Sequence, residues 1–168
     1  MEKKLKRPEL LLPAGSKEKL DYALHYGADA VYLGMVDFSL RAMRKGELIT
    51  VDNLKECINL AHSMNKKVYL TLNIFAYNND IKKMAESAEK INEAKPDAIL
   101  FSDFGVYNII KKYMPEIPLH VSTQTNILNY EAVKFWQDLG AERVVLSRDL
   151  SLEQIAEIEN KVPDIEYE

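Results

Sequence analysis

The apolar positions change period repeatedly along this chain. Leu10 to Leu12 form a short continuous run, Leu20, Ala23 and Leu24 recur at helical spacing, and Ala30 to Leu33 are continuous again. Ser16 stands where a helix needs an N-cap, and Gly27 where a left-handed residue closes one. Pro13-Ala14-Gly15 is expected to break the first run. A strand, a helix and a strand joined this tightly predict a right-handed crossover between parallel strands.

The same alternation continues. Helical spacing runs from Asp52, read as a cap, through Leu60, Ala61 and Met64. It returns from Asn79 or Asp80 with Met84, Ala88 and Ile91 inward, and after Ser102-Asp103 with Val106, Ile109 and Ile110. Two further helices carry Val133, Phe135, Trp136 and Leu139, then Ile155 and Ile158 after Ser151. Strands are predicted at Lys67 to Asn73, Ala98 to Phe101, Leu119 to Ser122 and Arg143 to Leu146. Asp164 to Glu168 alternates like the start of a seventh. The connection from Gly34 to Thr50 holds Phe38, Arg41, Arg44 and Lys45, and loops of this length in compact domains are often functional.

Strands recur about every 25 residues, close to the roughly 30 per unit of a (β/α)8 barrel. Three similar turns precede strands: Gly27-Ala28-Asp29-Ala30, Lys95-Pro96-Asp97-Ala98 and Gly140-Ala141-Glu142-Arg143. No dinucleotide fingerprint is present. The fold class is therefore α/β, an incomplete TIM-barrel-like (β/α)8 arrangement of about six units with parallel strands. Residues 1–168 read as a single N-terminal barrel domain, two units short of closure. The expectation is a fragment of a longer protein, or a half that pairs through its open sheet edge with another copy.

Composition narrows the class. Hydrophobic residues make up 47% and charged residues 29%, in the ordinary globular range. The net charge of −4 gives no global reason to expect nucleic acid or anionic membrane, although a local basic patch stays compatible with it. No apolar run approaches the roughly 20 residues of a membrane span, and Pro13 cuts the first run too short for a signal peptide, so a cytoplasmic protein is expected. Cys57 is the sole cysteine. It cannot form an internal disulfide or hold a cluster alone, and it reads as packing among Leu54, Ile58 and Ala61. No metal-ligand pair, Walker loop or Ser-His-Asp order stands out.

In parallel sheets of this kind, ligands bind at the carboxyl ends of the strands. Alternation in KVYLTLN puts Val68, Leu70 and Leu72 against helices and turns Tyr69, Thr71 and Asn73 inward. By the same phase His120, Ser122, Gln124, Glu9, Tyr32, Ser102 and Ser147 face in. So polar an interior is costly unless hydrogen-bonded or wet, which suggests a polar cavity or a satisfied internal network. Substrate-binding candidates are Arg41, Asn73, Ser102, Asp103, Ser122, Gln124, Asn126 and Arg148. Arg41 and Arg148 offer guanidinium forks for a carboxylate or phosphate, or are solvated. Ser122-Thr123-Gln124-Thr125-Asn126 makes a hydrogen-bonding rim or a plain loop. Asp103 reads as an acid, a base or a helix cap, His120 as a general base, a ligand or a core residue, and Gly15-Ser16 as a phosphate site or a cap. No catalytic residue is assigned.

Several longer strings carry a resemblance. PELLLPAGSKEKLDYALHYGADAVYLG, FSLRA, KKVYLTLNIFAYNND, HVSTQTN and FWQDLGAERVVLSRDLSLEQI are similar to the N-terminal part of the collagenase-like peptidase family U32. The resemblance covers nearly the whole chain. It implies a peptidase or hydrolase activity in the full-length protein, with the fragment inactive alone. Alternatively it implies the substrate-binding part of an iron–sulfur-dependent protein that hydroxylates RNA or a small molecule, or a non-catalytic assembly module. Relatives continue into an H-G-x-M-C segment with further cysteines, where such a cluster is expected; no position of this chain matches a cluster ligand. A peptide, an RNA or a small molecule is the implied substrate.

Overall fold

The computed structural model describes residues 7–40 and 47–168. β1 (Leu11–Ala14), α1 (Lys17–His25) and β2 (Ala30–Gly34) form the first crossover. They are followed by α2 (Leu54–Ser63), β3 (Lys67–Leu72), α3 (Asn78–Ala94), β4 (Ala98–Phe101) and α4 (Phe104–Tyr113). β5 (Leu119–Val121), a 3-10 turn (Thr123–Thr125), α5 (Tyr130–Asp138), β6 (Ala141–Val144), α6 (Leu152–Lys161) and β7 (Glu166–Tyr167) complete the order. All seven strands are parallel and lie in sequence order, a sheet curled into an incomplete barrel with helices outside. β1 and β7 are its two edges. No helix among the described residues is long and apolar enough to cross a membrane.

Local chemistry explains the elements. Ser16 Oγ accepts from the Lys19 N–H, and Gly27 leaves α1 at φ +90°. The recurring turns also have a reason. Asp29 accepts the Leu10 N–H at 2.8 Å, and Asp97 accepts the Val68 N–H at 2.7 Å. Each carboxylate thus satisfies a backbone donor at the start of the neighbouring strand. The Leu10 bond holds the Asp29 carboxyl below its ordinary pKa, with Arg7 and Lys66 adding to it. Glu142, in the third copy, lies within β6 instead.

Several boundaries differ from the sequence reading. Pro13 does not break β1, because this is an edge strand and Pro13 sits in register with Tyr32. Asn53 rather than Asp52 precedes α2: its side chain bonds the Thr50 N–H and the Leu48 carbonyl, while Asp52 pairs with Lys90. α3 opens at Asn78, with Asp80 accepting the Tyr77 N–H from the third position. β6 begins two residues early, at Ala141, where the pairing with β5 shifts register between Leu119 and His120. Phe135 does not turn inward; it is exposed and meets Trp136 edge-on.

The alternation of faces holds. Val68, Leu70 and Leu72 join the large cluster between sheet and helices, where Leu20, Ile58, Met84 and Trp136 also pack. A second, smaller apolar cluster fills the inner face: Ala30, Tyr32, Tyr69, Ala98 and Leu100. The polar positions Thr71, Asn73, His120, Ser122 and Ser147 are also buried.

Candidate functional site

Three of the predicted residues meet at the carboxyl ends of β3 and β5. Asn73 follows β3 directly and is buried. Its Oδ1 accepts the backbone N–H of Leu40 at 3.3 Å and the Ser39 hydroxyl at 3.3 Å. Its Nδ2 donates to Gln124 Oε1 at 2.7 Å. Ser122 caps the 3-10 turn, and its hydroxyl reaches the same Gln124 oxygen at 3.4 Å. Beneath them the Ser39 hydroxyl shares its hydrogen between Asn73 Oδ1 and Thr71 Oγ1, and Thr71 donates to the Leu33 carbonyl at 3.2 Å. These bonds tie the loop after β2 to β3 and to the turn after β5.

Above this network lies a cavity of about 290 Å³. Asn73, Ser122, Thr123 and Gln124 supply its polar wall; Leu40, Leu100 and Val145 supply its apolar one. Tyr32 and Glu168 also line it, with the Tyr32 hydroxyl bonded to the Glu168 carboxylate. A larger cleft of about 750 Å³ shares Thr123, Val145 and Glu168 and extends along Ser147, Arg148, Leu150, Ile155 and Tyr167.

The other candidates separate from this centre. Arg148 is exposed and lines the larger cleft. Asp103 caps α4, accepting the Val106 N–H at 3.0 Å. Ser102 is half-buried and lines neither space. Asn126 is exposed and closes the 3-10 turn at φ 55°, a conformation asparagine tolerates well. Arg41 lies outside the described residues. Ser39, Leu40, Tyr32 and Glu168 join the site without being among the candidates that sequence reasoning selects. Strand phase marks Tyr32 as inward, whereas Ser39 and Leu40 sit in a long loop whose path carries no periodic signal.

The opposite end of the strands has different chemistry. The Arg143 side chain, 11% exposed, bonds Glu166 Oε2 from Nε (2.9 Å) and NH2 (2.7 Å), and Glu9 Oε2 from NH1 (3.1 Å). Tyr69 donates to Glu9 Oε1 at 2.7 Å, and the guanidinium lies 4.9 Å from the Tyr69 ring centre. Burial works against the Arg143 charge, but the bonds to Glu166 and the charges around it hold its pKa above the ordinary value. Burial, then the Glu9 bond, raises the Tyr69 hydroxyl. His120 packs edge-on against Tyr69 with ring centres 4.7 Å apart. It is 4% exposed, and its Nδ1 has no hydrogen-bond partner among the described residues. Burial, then Arg143 and Lys67, pushes its pKa down to about 3, so the ring is neutral near pH 7.

Fold and mouth together define a parallel α/β barrel protein with a cavity at its strand ends that is lined by amides, hydroxyls, apolar side chains and the Glu168 carboxylate. Residues 15–168 match the model of peptidase family U32, and the chain belongs to that family. It is 46% identical over 162 residues to tRNA hydroxylation protein P of Escherichia coli, a match covering 96% of this chain and 35% of that one. It is 33% identical over 152 residues to a 23S rRNA 5-hydroxycytidine synthase of the same organism, covering 90% of this chain and 22% of that one. The chain thus spans about a third or less of these curated relatives. A solved U32 peptidase structure superposes with a TM-score of 0.73 at 14% identity, over 99% of this chain and 70% of that one, and shares the fold.

Proposed function

We propose that this chain is the substrate-holding barrel part of an RNA-modifying protein, whose mouth receives a base destined for hydroxylation. The observation that carries this reading is the identity of nearly half the residues with a tRNA hydroxylation protein across almost the whole chain. The mouth fits such a guest. Apolar side chains at Leu40, Leu100 and Val145 suit the faces of a flat ring, and the amides of Asn73 and Gln124 suit its polar edge. Arg148, which lines the larger cleft, is assigned to the phosphate backbone beside it.

A peptidase role draws less support. Cys57 is buried in α2 with its thiol pushed up to about 11 by that burial, so it is a poor nucleophile. Among the described residues, His120 Nδ1 has no hydroxyl or thiol partner that it could activate.

The residues described here do not fit an iron–sulfur cluster. Cys57 is the sole cysteine of the chain, and no three His, Cys, Asp or Glu side chains among the described residues are grouped to hold a metal. Any such group would need ligands from outside these residues, and the role assigned to them is to bind and orient substrate.

The experiment is a comparison of tRNA and rRNA nucleosides by mass spectrometry from cells with and without the gene. Loss of one hydroxylated nucleoside, restored by the full-length protein, is expected. An unchanged nucleoside profile overturns the reading.

A further inference from the structure

The segment that leaves the mouth after β3 is pinned at both ends and bare between them. Asn73 is held by the Leu40 N–H, Ser39 and Gln124. Four residues on, the Tyr77 N–H donates to Asp80 Oδ2 at 2.9 Å, and the Tyr77 carbonyl accepts the N–H of Asp80 at 2.9 Å and of Ile81 at 3.1 Å. These bonds fix the backbone where α3 begins. The side chains they carry stay outside: Phe75 is 73% exposed and Tyr77 is 78% exposed. Neither ring touches another ring among the described residues. Single exposed rings are ordinary on a protein surface. What marks this pair is its placement. Chain geometry keeps the backbone of Phe75 within about 7 Å of Asn73 and that of Tyr77 within about 14 Å. Asn73 lines the cavity, so both rings stand beside its opening.

The surroundings favour a nucleic acid over a protein as the guest. Asn78, Asn79, Lys82 and Lys83 follow and are exposed, and neither lysine has an ion-pair partner among the described residues. Asp80, the acid of this turn, spends its carboxylate on the Tyr77 N–H. A protein interface needs a contiguous core depleted of charge. Separate rings set among amides and ammonium groups suit bases with phosphates between them. We propose that Phe75 and Tyr77 form a stacking platform for the nucleotides that adjoin the modified one, with Lys82 and Lys83 on their phosphates. A base drawn out of its strand leaves its neighbours without a stacking partner, and an aromatic ring at the mouth replaces it. Every base has a π-face, so the platform holds the strand without choosing among sequences. This inference rests on the proposed RNA substrate and adds to it the surface that grips the strand outside the cavity.

The test uses the full-length protein and two short single-stranded RNAs with the same central nucleotide. One has ordinary bases beside it, and the other has abasic residues at the flanking positions. Wild type is expected to bind the intact strand at least about tenfold more tightly. Phe75→Ala and Tyr77→Ala should each weaken the intact strand about tenfold and leave the abasic strand unchanged, a non-additivity that marks direct contact. Tyr77→Phe keeps the ring and should bind as wild type, whereas Phe75→Leu keeps bulk without a flat face and should bind as the alanine variant. Replacing Lys82 and Lys83 together by Gln should weaken both strands alike and reduce the slope of log affinity against log salt by about 1.4. Circular dichroism checks folding; if one alanine variant does not fold, the other decides. Alanine variants that bind the intact strand like wild type overturn the platform and leave the RNA reading standing. Equal losses on both strands also overturn it, because the rings then touch something other than a flanking base. Phe75→Leu at wild-type affinity overturns stacking at that position, and an unchanged salt slope overturns the role of the two lysines. Wild type that binds neither strand overturns both the platform and the RNA reading.

Discussion

At the start of the strands, Arg143 holds Glu9 and Glu166 beside Tyr69; at their carboxyl ends, Asn73 holds Leu40, Ser39 and Gln124. Both networks are polar and inward-facing, yet they do different work. The first joins β1, β3, β6 and β7 by ion pairs around a guanidinium, whose donors are spent on the protein itself. The second is made of neutral amides and hydroxyls, and it leaves donors on Gln124 beside a cavity. An ion-paired end resists change because removing one charge strands the others. A neutral end with spare capacity can exchange one hydrogen bond for another as a ligand enters. In barrels of this kind stability belongs to the first end and binding to the second.

Arg143→Met gives the largest expected effect. It removes the cation from the face of Tyr69 and leaves the Glu9 and Glu166 carboxylates, and Glu168 at 3.9 Å, without their positive partner. Glu166 is well exposed and Glu9 partly so, and both regain water, which limits the cost. The loss should be about 2–3 kcal/mol, measured as a shift in the urea midpoint, with RNA affinity per folded molecule unchanged. A variant of native stability, or one that fails to bind while still folded, erases the contrast between the ends.

Much of this division is legible from strand phase. Alternation in KVYLTLN places Tyr69, Thr71 and Asn73 on one face, and the structure puts all three inside. Gln124 and Ser122 follow from lying directly after a strand. Other features depend on contacts between distant segments. Asn126 reads as rim, but its αL backbone sets a turn, a property shared by Asn residues with and without ligands. Arg143 carries no signal of its role because the sequence places it at the first residue of its strand, whereas the shifted pairing with β5 carries it into register with His120. Its partners Glu9 and Glu166 lie 134 and 23 residues away, and no periodicity links them. The charge balance is the least informative signal: −4 over the whole chain says little about one cavity lined mostly by neutral side chains.

His120 tests the lower end by pH. Its folded pKa of about 3 lies below the roughly 6.5 of an unfolded histidine. The unfolded chain therefore takes up a proton that the folded chain refuses. Stability is complete above the unfolded value and falls as pH drops from there toward about 3. His120→Phe keeps a ring edge against Tyr69 and removes the titrating nitrogen. Between pH 6.5 and 5.5, wild type should lose about 1 kcal/mol more than the variant, measured by paired denaturation curves. His25 and His62 are present in both proteins and cancel. Parallel curves would show that the folded ring takes up its proton as readily as the unfolded one, and the lower end would then gain a charge on acidification.

The smallest expected effect bears on the upper end, where Asp103 follows β4 at the level of the mouth but spends its carboxylate on the Val106 N–H. Asparagine caps a helix about as well as aspartate, so Asp103→Asn keeps that bond and gives up only the charge near the N-terminus of α4. Stability should fall by a few tenths of a kcal/mol, and RNA affinity should not move. Were Asp103 part of the ligand site, the same isosteric change would do the reverse, leaving the melting temperature in place and weakening binding severalfold. The two outcomes are opposite in both readouts because a cap acts on the helix it starts and a ligand contact acts on the guest. A weakening of RNA binding here would add a second carboxylate to the mouth beside Glu168 and narrow the difference between its chemistry and that of the Arg143 end.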